Sequence, residues 1–138
     1  MKTVMVSGHF DGFHGGHLDY LEQAAEYGDI ICIVSSDKQL LMKKGKIHMH
    51  EDERLRVVET MLKGIGCEHS AFINIWDTET PTIADALFCL NPSILFRGYD
   101  KTLDTMPGDE RKVCEWLGVK VIHAKNRIGE RHSTEIFK

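Results

Sequence analysis

A segment near the amino terminus combines glycines with histidines, and this is the composition of a phosphate-binding loop. Gly8 to His17 reads GHFDGFHGGH. Glycines let the backbone come close to a ligand, and imidazole N–H groups donate hydrogen bonds to phosphate oxygens. His14 and His17 are three residues apart, so one helical turn would bring both rings to the same side. The segment therefore predicts an anion site at the start of a helix, where free amides and the helix dipole also favour negative charge.

Other interpretations of this loop have less support. Its spacing is neither that of a Walker P-loop nor that of the dinucleotide-binding fingerprint. A His-x-x-His pair can bind a metal, but no cysteine or acidic cluster nearby completes a tetrahedral site. We therefore expect no metal held by the protein itself. A glycine-rich turn with incidental histidines is the alternative without a function.

The elements that must hold this loop alternate between short apolar runs and amphipathic stretches. The apolar runs are typical of strands covered on both faces, and they lie at 4–6, 30–34, 71–73, 94–96 and 119–122. Helical stripes lie at 18–25, 55–62, 83–90 and 113–117. Thr80 is the predicted N-cap of the third stripe, with Pro81 as its first helical residue. This alternation predicts an α/β fold with five parallel strands and helices on both faces, in one domain over residues 1–138.

In such a sheet, ligands bind beyond the carboxyl ends of the strands, where the strand order reverses. The loop that starts at Gly8 follows the first apolar run, so it is predicted to lie at this edge. The position and the composition of the loop thus point to the same place in the fold.

Charge and hydropathy exclude several classes of protein. The net charge of −4, from 17 basic and 21 acidic residues, argues against a protein that coats nucleic acid. No apolar stretch approaches the roughly 20 residues of a membrane span, and no secretory signal is visible. We therefore expect a cytoplasmic protein with neither nucleic acid nor membrane as a partner. The cysteines form no C-x-x-C pair and are expected to be reduced thiols: Cys32, Cys67, Cys89 and Cys114.

The first loop also resembles the signature of a known family. Its two halves, 8–11 (GHFD) and 14–17 (HGGH), are similar to the Gly-x-Phe-Asp and His-x-Gly-His blocks of the cytidylyltransferase-like nucleotidyltransferases. That family includes glycerol-3-phosphate cytidylyltransferase, the nucleotidyltransferase domain of ADP-heptose synthase and archaeal FAD synthase. His9 stands where relatives usually have Thr or Cys. The resemblance implies a Rossmann-like three-layer fold around the five-stranded parallel sheet.

Later segments extend the resemblance along the chain. Residues 43–46 (KKGK) resemble the family's lysine-bearing loop, and 51–54 (EDER) resemble its E-x-R helix start, where Arg54 either contacts ligand or makes an ion pair within its helix. Residues 97–100 (RGYD) resemble the Gly-x-Asp element of the ADP-heptose and FAD-forming branches. Residues 127–134 (RIGERHST) resemble the R-T-x-G-I-S-T-[ST] block, but the glycine falls one place early and His132 replaces a hydroxyl.

The resemblance implies a reaction in which an acceptor phosphate attacks the α-phosphorus of a nucleoside triphosphate and pyrophosphate leaves. His14 and His17 would hold the α- and β-phosphates, Lys44 or Lys46 would neutralise charge, and Arg127 would bind the β/γ end. Magnesium would arrive on the triphosphate, with Asp11 or Asp100 able to help position it. The residues implied in nucleotide binding are Gly8, His9, Phe10, Asp11, Gly16, Arg97, Gly98, Asp100, Ser133 and Thr134.

The substrates follow from the same resemblance. The nucleotide is ATP or CTP, with ATP favoured by residues 97–100. The acceptor is a sugar phosphate, as in the synthesis of ADP-heptose for lipopolysaccharide core, or a polyol phosphate; FMN is the alternative. A homodimer is expected because family members often dimerise. Two other hypotheses are a non-catalytic nucleotide-binding module, suggested by the altered 127–134 block, and a fragment of a class I aminoacyl-tRNA synthetase, which the short chain argues against.

Overall fold

The fold is built on a parallel sheet with the strand order β3-β2-β1-β4-β5. The computed structural model describes residues 2–12 and 15–126. Every strand pair in the sheet is parallel. The five-stranded parallel sheet predicted from the apolar runs is therefore confirmed. The strands are β1 (Thr3–Gly8), β2 (Asp29–Val34), β3 (His69–Ile73), β4 (Ile94–Arg97) and β5 (Lys120–His123).

Helices fill the connections between the strands. They are α1 (Gly15–Ala25), α2 (Asp37–Lys44), α3 (Glu51–Ile65), α4 (Ala84–Leu90) and α5 (Gly108–Leu117), with a short 3-10 turn at Leu103–Thr105. The helices α3 and α5 end at Gly66 and Gly118, whose φ values of 84° and 73° are left-handed and cost glycine least. Among the described residues, no helix is both long and apolar enough to cross a membrane.

The sheet separates two apolar layers. Successive side chains of a strand point to opposite faces, so Val4 and Val6 lie in one buried cluster and Met5 lies in the other. The first cluster includes Leu62 of α3, and the second includes Leu87 of α4. Helices thus cover both faces of the sheet, which confirms the three-layer Rossmann-like architecture.

The strand order reverses beside β1. The chain runs outward from β1 to β2 and β3, and then returns to place β4 on the other side of β1. The connections that leave β1 and β4 therefore diverge and open a crevice at the carboxyl edge of the sheet. The glycine-rich loop leaves β1 at this point, as its sequence position predicts, and the segment from Gly98 leaves β4 there.

The helix α2 was not among the predicted helices. Its sequence, DKQLLMKK, is short and polar, but Ser36 caps it through a hydrogen bond of 3.1 Å from the backbone N–H of Gln39 to Ser36 Oγ. The predicted lysine loop at 43–46 is therefore wrong in part, because Lys43 and Lys44 form the last turn of α2. Only Gly45 and Lys46 follow the helix.

The predicted start of α4 is also wrong. The helix begins at Ala84, with Ile83 as its N-cap, and not at Thr80 and Pro81. The carboxylate of Asp77 accepts hydrogen bonds from the backbone N–H groups of Asp85 at 2.7 Å and Ala86 at 3.1 Å. A side chain eight residues away along the chain thus caps the helix, and a local N-cap pattern does not detect this arrangement.

Asp77 is predicted to be important for stability. Replacing it with Ala leaves two amides at the start of α4 without their acceptor, so Asp77→Ala is expected to lower the free energy of unfolding by about 2 kcal/mol. Urea unfolding at pH 7 measures the loss. The matched control is Asp104→Ala, which removes an exposed aspartate and should change stability little. Equal stability of the two variants would contradict the capping role.

Candidate functional site

Three adjoining cavities lie at the carboxyl edge of the sheet around β1 and β4, with volumes of about 420, 420 and 410 Å³. We call them by their walls. The α5 cavity is lined by Arg97, Pro107 and Glu110, among others; the α1 cavity by Gly16, Asp100 and Ala124; and the lysine cavity by Asp11, Lys44 and Lys46. The cavities share wall residues: Gly8 lines the first two, and His17 lines the last two. Together they form one branched cleft at the predicted position.

The lysine cavity brings together three of the predicted catalytic residues. His17 reaches it from the first turn of α1, Lys44 from the last turn of α2, and Lys46 from the segment that follows. Two ammonium groups and an imidazole around one opening provide the donors and the positive charge that phosphate oxygens need. The arrangement keeps both lysines as candidates, because both line the same cavity.

The predicted ligand contact Phe10 is largely a packing residue. Its side chain is 2% exposed and belongs to the apolar cluster under α1 and α3, and its ring centroid lies 5.4 Å from that of His17. The backbone at Phe10 has φ 52°, a left-handed conformation that is uncommon for an aromatic residue. Such local strain is found where the surrounding structure fixes a functional loop, and here it places an aromatic wall beside His17.

Asp11 anchors the loop. Its carboxylate accepts hydrogen bonds from the backbone N–H groups of His48 at 2.9 Å and Met49 at 2.6 Å. Burial raises the pKa of Asp11, but these two hydrogen bonds together with nearby positive charge, including that of Arg54, outweigh it, so the pKa lies below its ordinary value. The ionised carboxylate therefore ties the glycine-rich loop to the segment before α3, from within the cleft.

Arg54 is a buried connector and not a ligand contact. Its side chain is fully buried, and its guanidinium donates to the carbonyl oxygens of His9 at 2.7 Å, Ser35 at 2.7 Å and Met49 at 2.8 Å. A fourth hydrogen bond of 2.9 Å reaches the carboxylate of Asp37. The predicted ion pair within the helix of Arg54 is therefore wrong, because the partner carboxylate lies at the start of α2.

His9 lies between the lysine cavity and the α5 cavity. Its Nδ1 atom is 2.8 Å from Ser35 Oγ. Burial, followed by the nearby charges of Lys44 and Arg54, lowers the pKa of His9 to about 4. At neutral pH the imidazole is therefore uncharged, and it offers the cleft a hydrogen-bonding group among cations.

The segment after β4 reaches the cleft from the other side of the switch point. Arg97 lines the α5 cavity and donates to the carbonyl oxygen of Thr102 at 2.6 Å. Gly98 lines both the α5 and α1 cavities, and a Cβ atom there would lie 2.9 Å from Oδ1 of Asp100. A side chain at position 98 would displace this carboxylate, which lies at the end of an exposed side chain. Arg97, Gly98 and Asp100 are thus brought to the cleft, as predicted.

Four of the predicted site residues cannot be placed. His14, Arg127, Ser133 and Thr134 fall outside the described residues. Trp76 packs edge-on against Phe72, with ring centroids 6.0 Å apart, and lines none of the three cavities. Within the part of the chain that the structure describes, no cluster of three or more His, Cys, Asp or Glu could hold a metal ion.

Several cleft residues were not predicted. Lys101 lines the α5 cavity, and its proximity to the predicted Asp100 was the available signal. Lys43, which belongs to the predicted lysine-bearing segment at 43–46, lines the same cavity. Glu110 of α5 lines the same cavity, is 8% exposed and accepts a hydrogen bond of 3.1 Å from the backbone N–H of Ile83. Burial raises the pKa of its carboxyl. No sequence pattern marked Glu110, because its burial depends on the packing of α5 over the cleft.

Comparison with known proteins gives a family match over almost the whole chain. The model of the family described as cytidylyltransferase-like matches residues 5–137. An FAD synthase of Archaeoglobus profundus is 30% identical, with 100% of this chain and 85% of the relative covered. An FAD synthase of Methanothrix thermoacetophila is 33% identical, with 99% and 87% covered. The bifunctional protein HldE of Geobacter sulfurreducens is 30% identical, but only 23% of its length is covered.

Solved structures show the same fold. The lipopolysaccharide core biosynthesis protein from Thermoplasma volcanium superposes with a TM-score of 0.68 at 21% identity, covering 91% of this chain and 97% of that protein. A universal stress protein from Archaeoglobus fulgidus superposes with a TM-score of 0.58 at 16% identity, covering 91% and 94%. At these identities the likeness concerns the fold alone.

Arg54 is predicted to hold the cleft together. Arg54→Met leaves three carbonyl oxygens without this donor and removes one of the hydrogen bonds to the Asp37 carboxylate, which keeps the one from the backbone N–H of Glu51. The substitution is expected to lower the free energy of unfolding by about 3 kcal/mol. Urea unfolding at pH 7 tests this. Arg56→Met, which replaces an exposed arginine of the same helix, is the matched control. A loss for Arg54→Met no larger than that of the control would refute the connector role.

His9 is predicted to make stability depend on pH. Its pKa is about 4 in the folded protein against the ordinary 6.5, so between these values the unfolded chain binds more protons and stability falls as pH falls. His9→Gln removes this uptake, and its unfolding free energy should decline less than that of the wild type from pH 6.5 to 4. Urea titrations across this range measure both slopes. His48→Gln, at an exposed imidazole, should keep the wild-type slope.

Proposed function

The chain belongs to the cytidylyltransferase-like family and is a nucleotidyltransferase, and from this premise we propose that it transfers AMP or CMP from ATP or CTP to the phosphate of a small acceptor. Pyrophosphate is the second product. The observation that carries the proposal is the lysine cavity, where His17 meets Lys44 and Lys46 at the switch point of the sheet.

The proposed reaction requires alignment of its two substrates more than it requires a general base. A phosphate oxygen of the acceptor attacks the α-phosphorus, a new P–O bond forms, and the bond from the α-phosphorus to the bridging oxygen breaks. The electron pair of that bond leaves with pyrophosphate. Because the acceptor phosphate is already an anionic nucleophile, the protein must align the two ligands and stabilise the charge on the transferred and leaving groups. The described cations of the lysine cavity suit this task.

His17 is proposed to donate a hydrogen bond to the transferring phosphate, and Lys44 and Lys46 to neutralise the triphosphate. His14 and Arg127 are proposed to add to this set, as the family resemblance implies. Magnesium would supply further charge neutralisation when it enters with the triphosphate. The carboxylates of Asp11 and Asp100 line the cleft, and hard oxygen donors of this kind fit such an ion.

The two larger branches of the cleft are proposed to take different ligands. The α1 cavity adjoins Gly16 at the start of α1 and runs to Asn126, next to the segment whose sequence resembles the family's nucleotide-binding block. It is proposed to hold the nucleoside. The α5 cavity has three cationic side chains, Lys43, Arg97 and Lys101, and is proposed to hold the acceptor through its phosphate.

Two acceptor classes have support of different kinds. Sugar and polyol phosphates are the first candidate, as implied by the resemblance to the nucleotidyltransferase domain of ADP-heptose synthase and to glycerol-3-phosphate cytidylyltransferase. FMN is the second candidate, because the chain spans 85% and 87% of two FAD synthases at comparable identity. The cytoplasmic location and the homodimer stay predictions from the sequence.

Pyrophosphate release tests the proposal. ATP and CTP with magnesium are each offered together with sugar phosphates, glycerol 3-phosphate and FMN, and one pair is expected to give turnover. His17→Asn should lower kcat about 100-fold or more with little change in nucleotide affinity, because its hydrogen bond strengthens in the transition state. His69→Asn, at a histidine of the edge strand β3, is the matched control and should retain activity.

The outcomes separate the hypotheses. If the wild type binds ATP or CTP but releases no pyrophosphate with any acceptor, the chain is a nucleotide-binding module without catalysis. If His17→Asn keeps full turnover, the placement of chemistry in the lysine cavity is wrong.

A further inference from the structure

Two buried glutamines stand behind the walls of the cleft. Gln23 of α1 is 6% exposed, and Gln39 of α2 is 1% exposed. Neither lines any of the three cavities formed by the described residues. Each side-chain amide is nevertheless bound to the backbone of a segment that does. Their placement therefore bears on the shape of the cavities and not on direct contact with a ligand.

Gln23 holds the segment that follows β5. Its Nε2 donates to the carbonyl oxygen of Lys125 at 2.7 Å, and its Oε1 accepts from the backbone N–H of Lys125 at 2.8 Å. The pairing of β5 with β4 ends just before this residue, with a hydrogen bond from the N–H of Ala124 to the carbonyl of Arg97. One residue further, at Lys125, the amide of Gln23 supplies the donor and the acceptor that a neighbouring strand would otherwise supply. Residues 124–126 line the α1 cavity, so Gln23 fixes one wall of it.

A further hydrogen bond fixes the amide of Gln23 itself. Its Nε2 also donates to the carboxylate of Asp19 at 2.8 Å, one helical turn earlier in α1. Both Nε2 hydrogens therefore have acceptors, and the amide cannot turn over without losing them. The wall residue Lys125 is in this way joined rigidly to the helix that carries His17.

Gln39 holds the segment that precedes α4. Its Nε2 donates to the carbonyl oxygens of Thr80 at 3.0 Å and Thr82 at 2.9 Å. The residue between them, Pro81, has no N–H of its own and lines the α5 cavity, as does Ile83. The amide of Gln39 therefore fixes a wall of the α5 cavity in the same manner as Gln23 fixes a wall of the α1 cavity.

We propose that Gln23 and Gln39 are positioning residues with separate duties, Gln23 for nucleotide affinity and Gln39 for acceptor affinity. This rests on the proposed function, which assigns the α1 cavity to the nucleoside and the α5 cavity to the acceptor. Each side chain is a buried glutamine in a helix and donates two hydrogen bonds from Nε2. The Oε1 of Gln23 accepts from the backbone N–H of Lys125, whereas that of Gln39 accepts from the backbone N–H of Ser36 at 3.3 Å and completes the N-terminal cap of α2. Removal of either side chain is expected to lower stability, while the ligand affected differs.

The test is a crossed comparison of Gln23→Met and Gln39→Met in the full chain. Methionine keeps the length of the side chain and removes its hydrogen bonds. Gln23→Met is expected to raise the KM for the nucleotide about tenfold and to leave the KM for the acceptor within about twofold. Gln39→Met is expected to do the reverse. Thermal melts of both variants report the shared loss of stability.

A purely structural role predicts a different result. If both variants lower the melting temperature but shift the two KM values equally, or shift neither, the proposal is overturned. Where a methionine variant does not fold, Gln23→Asn and Gln39→Asn carry the same comparison, because they keep the amide and shorten its reach.

Failure of the proposed function can be distinguished from failure of the inference about Gln23 and Gln39. If the wild type releases no pyrophosphate, calorimetry with ATP or CTP and magnesium, and separately with glycerol 3-phosphate and FMN, replaces the KM values. Weaker nucleotide binding in Gln23→Met alone, with weaker acceptor binding in Gln39→Met alone, supports the separate duties without turnover. Absence of all binding by the wild type rejects the proposed function and the inference together.

Discussion

The arrangement of the cleft depends on one buried guanidinium. Arg54 satisfies the carbonyl oxygens of His9 and Ser35, which lie just past the ends of β1 and β2, and pairs with Asp37 at the start of α2. These two carbonyl oxygens lie beyond the last paired residues of their strands, Gly8 and Val34, so the guanidinium acts as their donor. Arg54 is fully buried and Asp37 is partly exposed, and an ion pair with a buried charge often adds little net stability because removing that charge from water is costly. What Arg54 contributes is geometry, since it fixes the loop after β1 relative to α2.

The positive charge of Arg54 also contributes to the electrostatic environment of His9 in the cleft. The chain carries a net charge of −4, but the surroundings of His9 are cationic. Burial lowers the pKa of His9 first, and Lys44, Arg54, Lys43 and Lys101 then lower it further. The same positive field that keeps an imidazole neutral attracts phosphate groups. Binding of an anion would neutralise the positive charge of this cleft, and this accords with a reaction whose substrates are both phosphorylated.

The sequence allowed much of the frame to be predicted, because the central strands β1, β2 and β4 are largely buried and read as apolar runs. The glycine-rich loop was located for the same reason, since it follows the first run. The remainder depends on contacts between distant residues. Asp77 caps α4 from outside the helix, Arg54 is buried by three converging segments, and Gln23 meets Lys125 across 102 residues of sequence. Periodicity and local motifs report none of these contacts, and the short polar helix α2 has too little amphipathic pattern to be detected.

The two helices beside the cleft each join a side chain of the lysine cavity to the wall of another cavity. The helix α1 carries His17 at its start and Gln23, which holds the wall of the α1 cavity, two turns later. The helix α2 carries Gln39, which holds the wall of the α5 cavity, and ends at Lys44. Because a helix moves as a rigid body, the imidazole of His17 and the wall of the α1 cavity form one unit. The ammonium group of Lys44 and the wall of the α5 cavity form a second unit. Under the proposed function, the alignment of the nucleotide and the acceptor then depends on the position of α1 relative to α2. That position is fixed by β1 and Arg54.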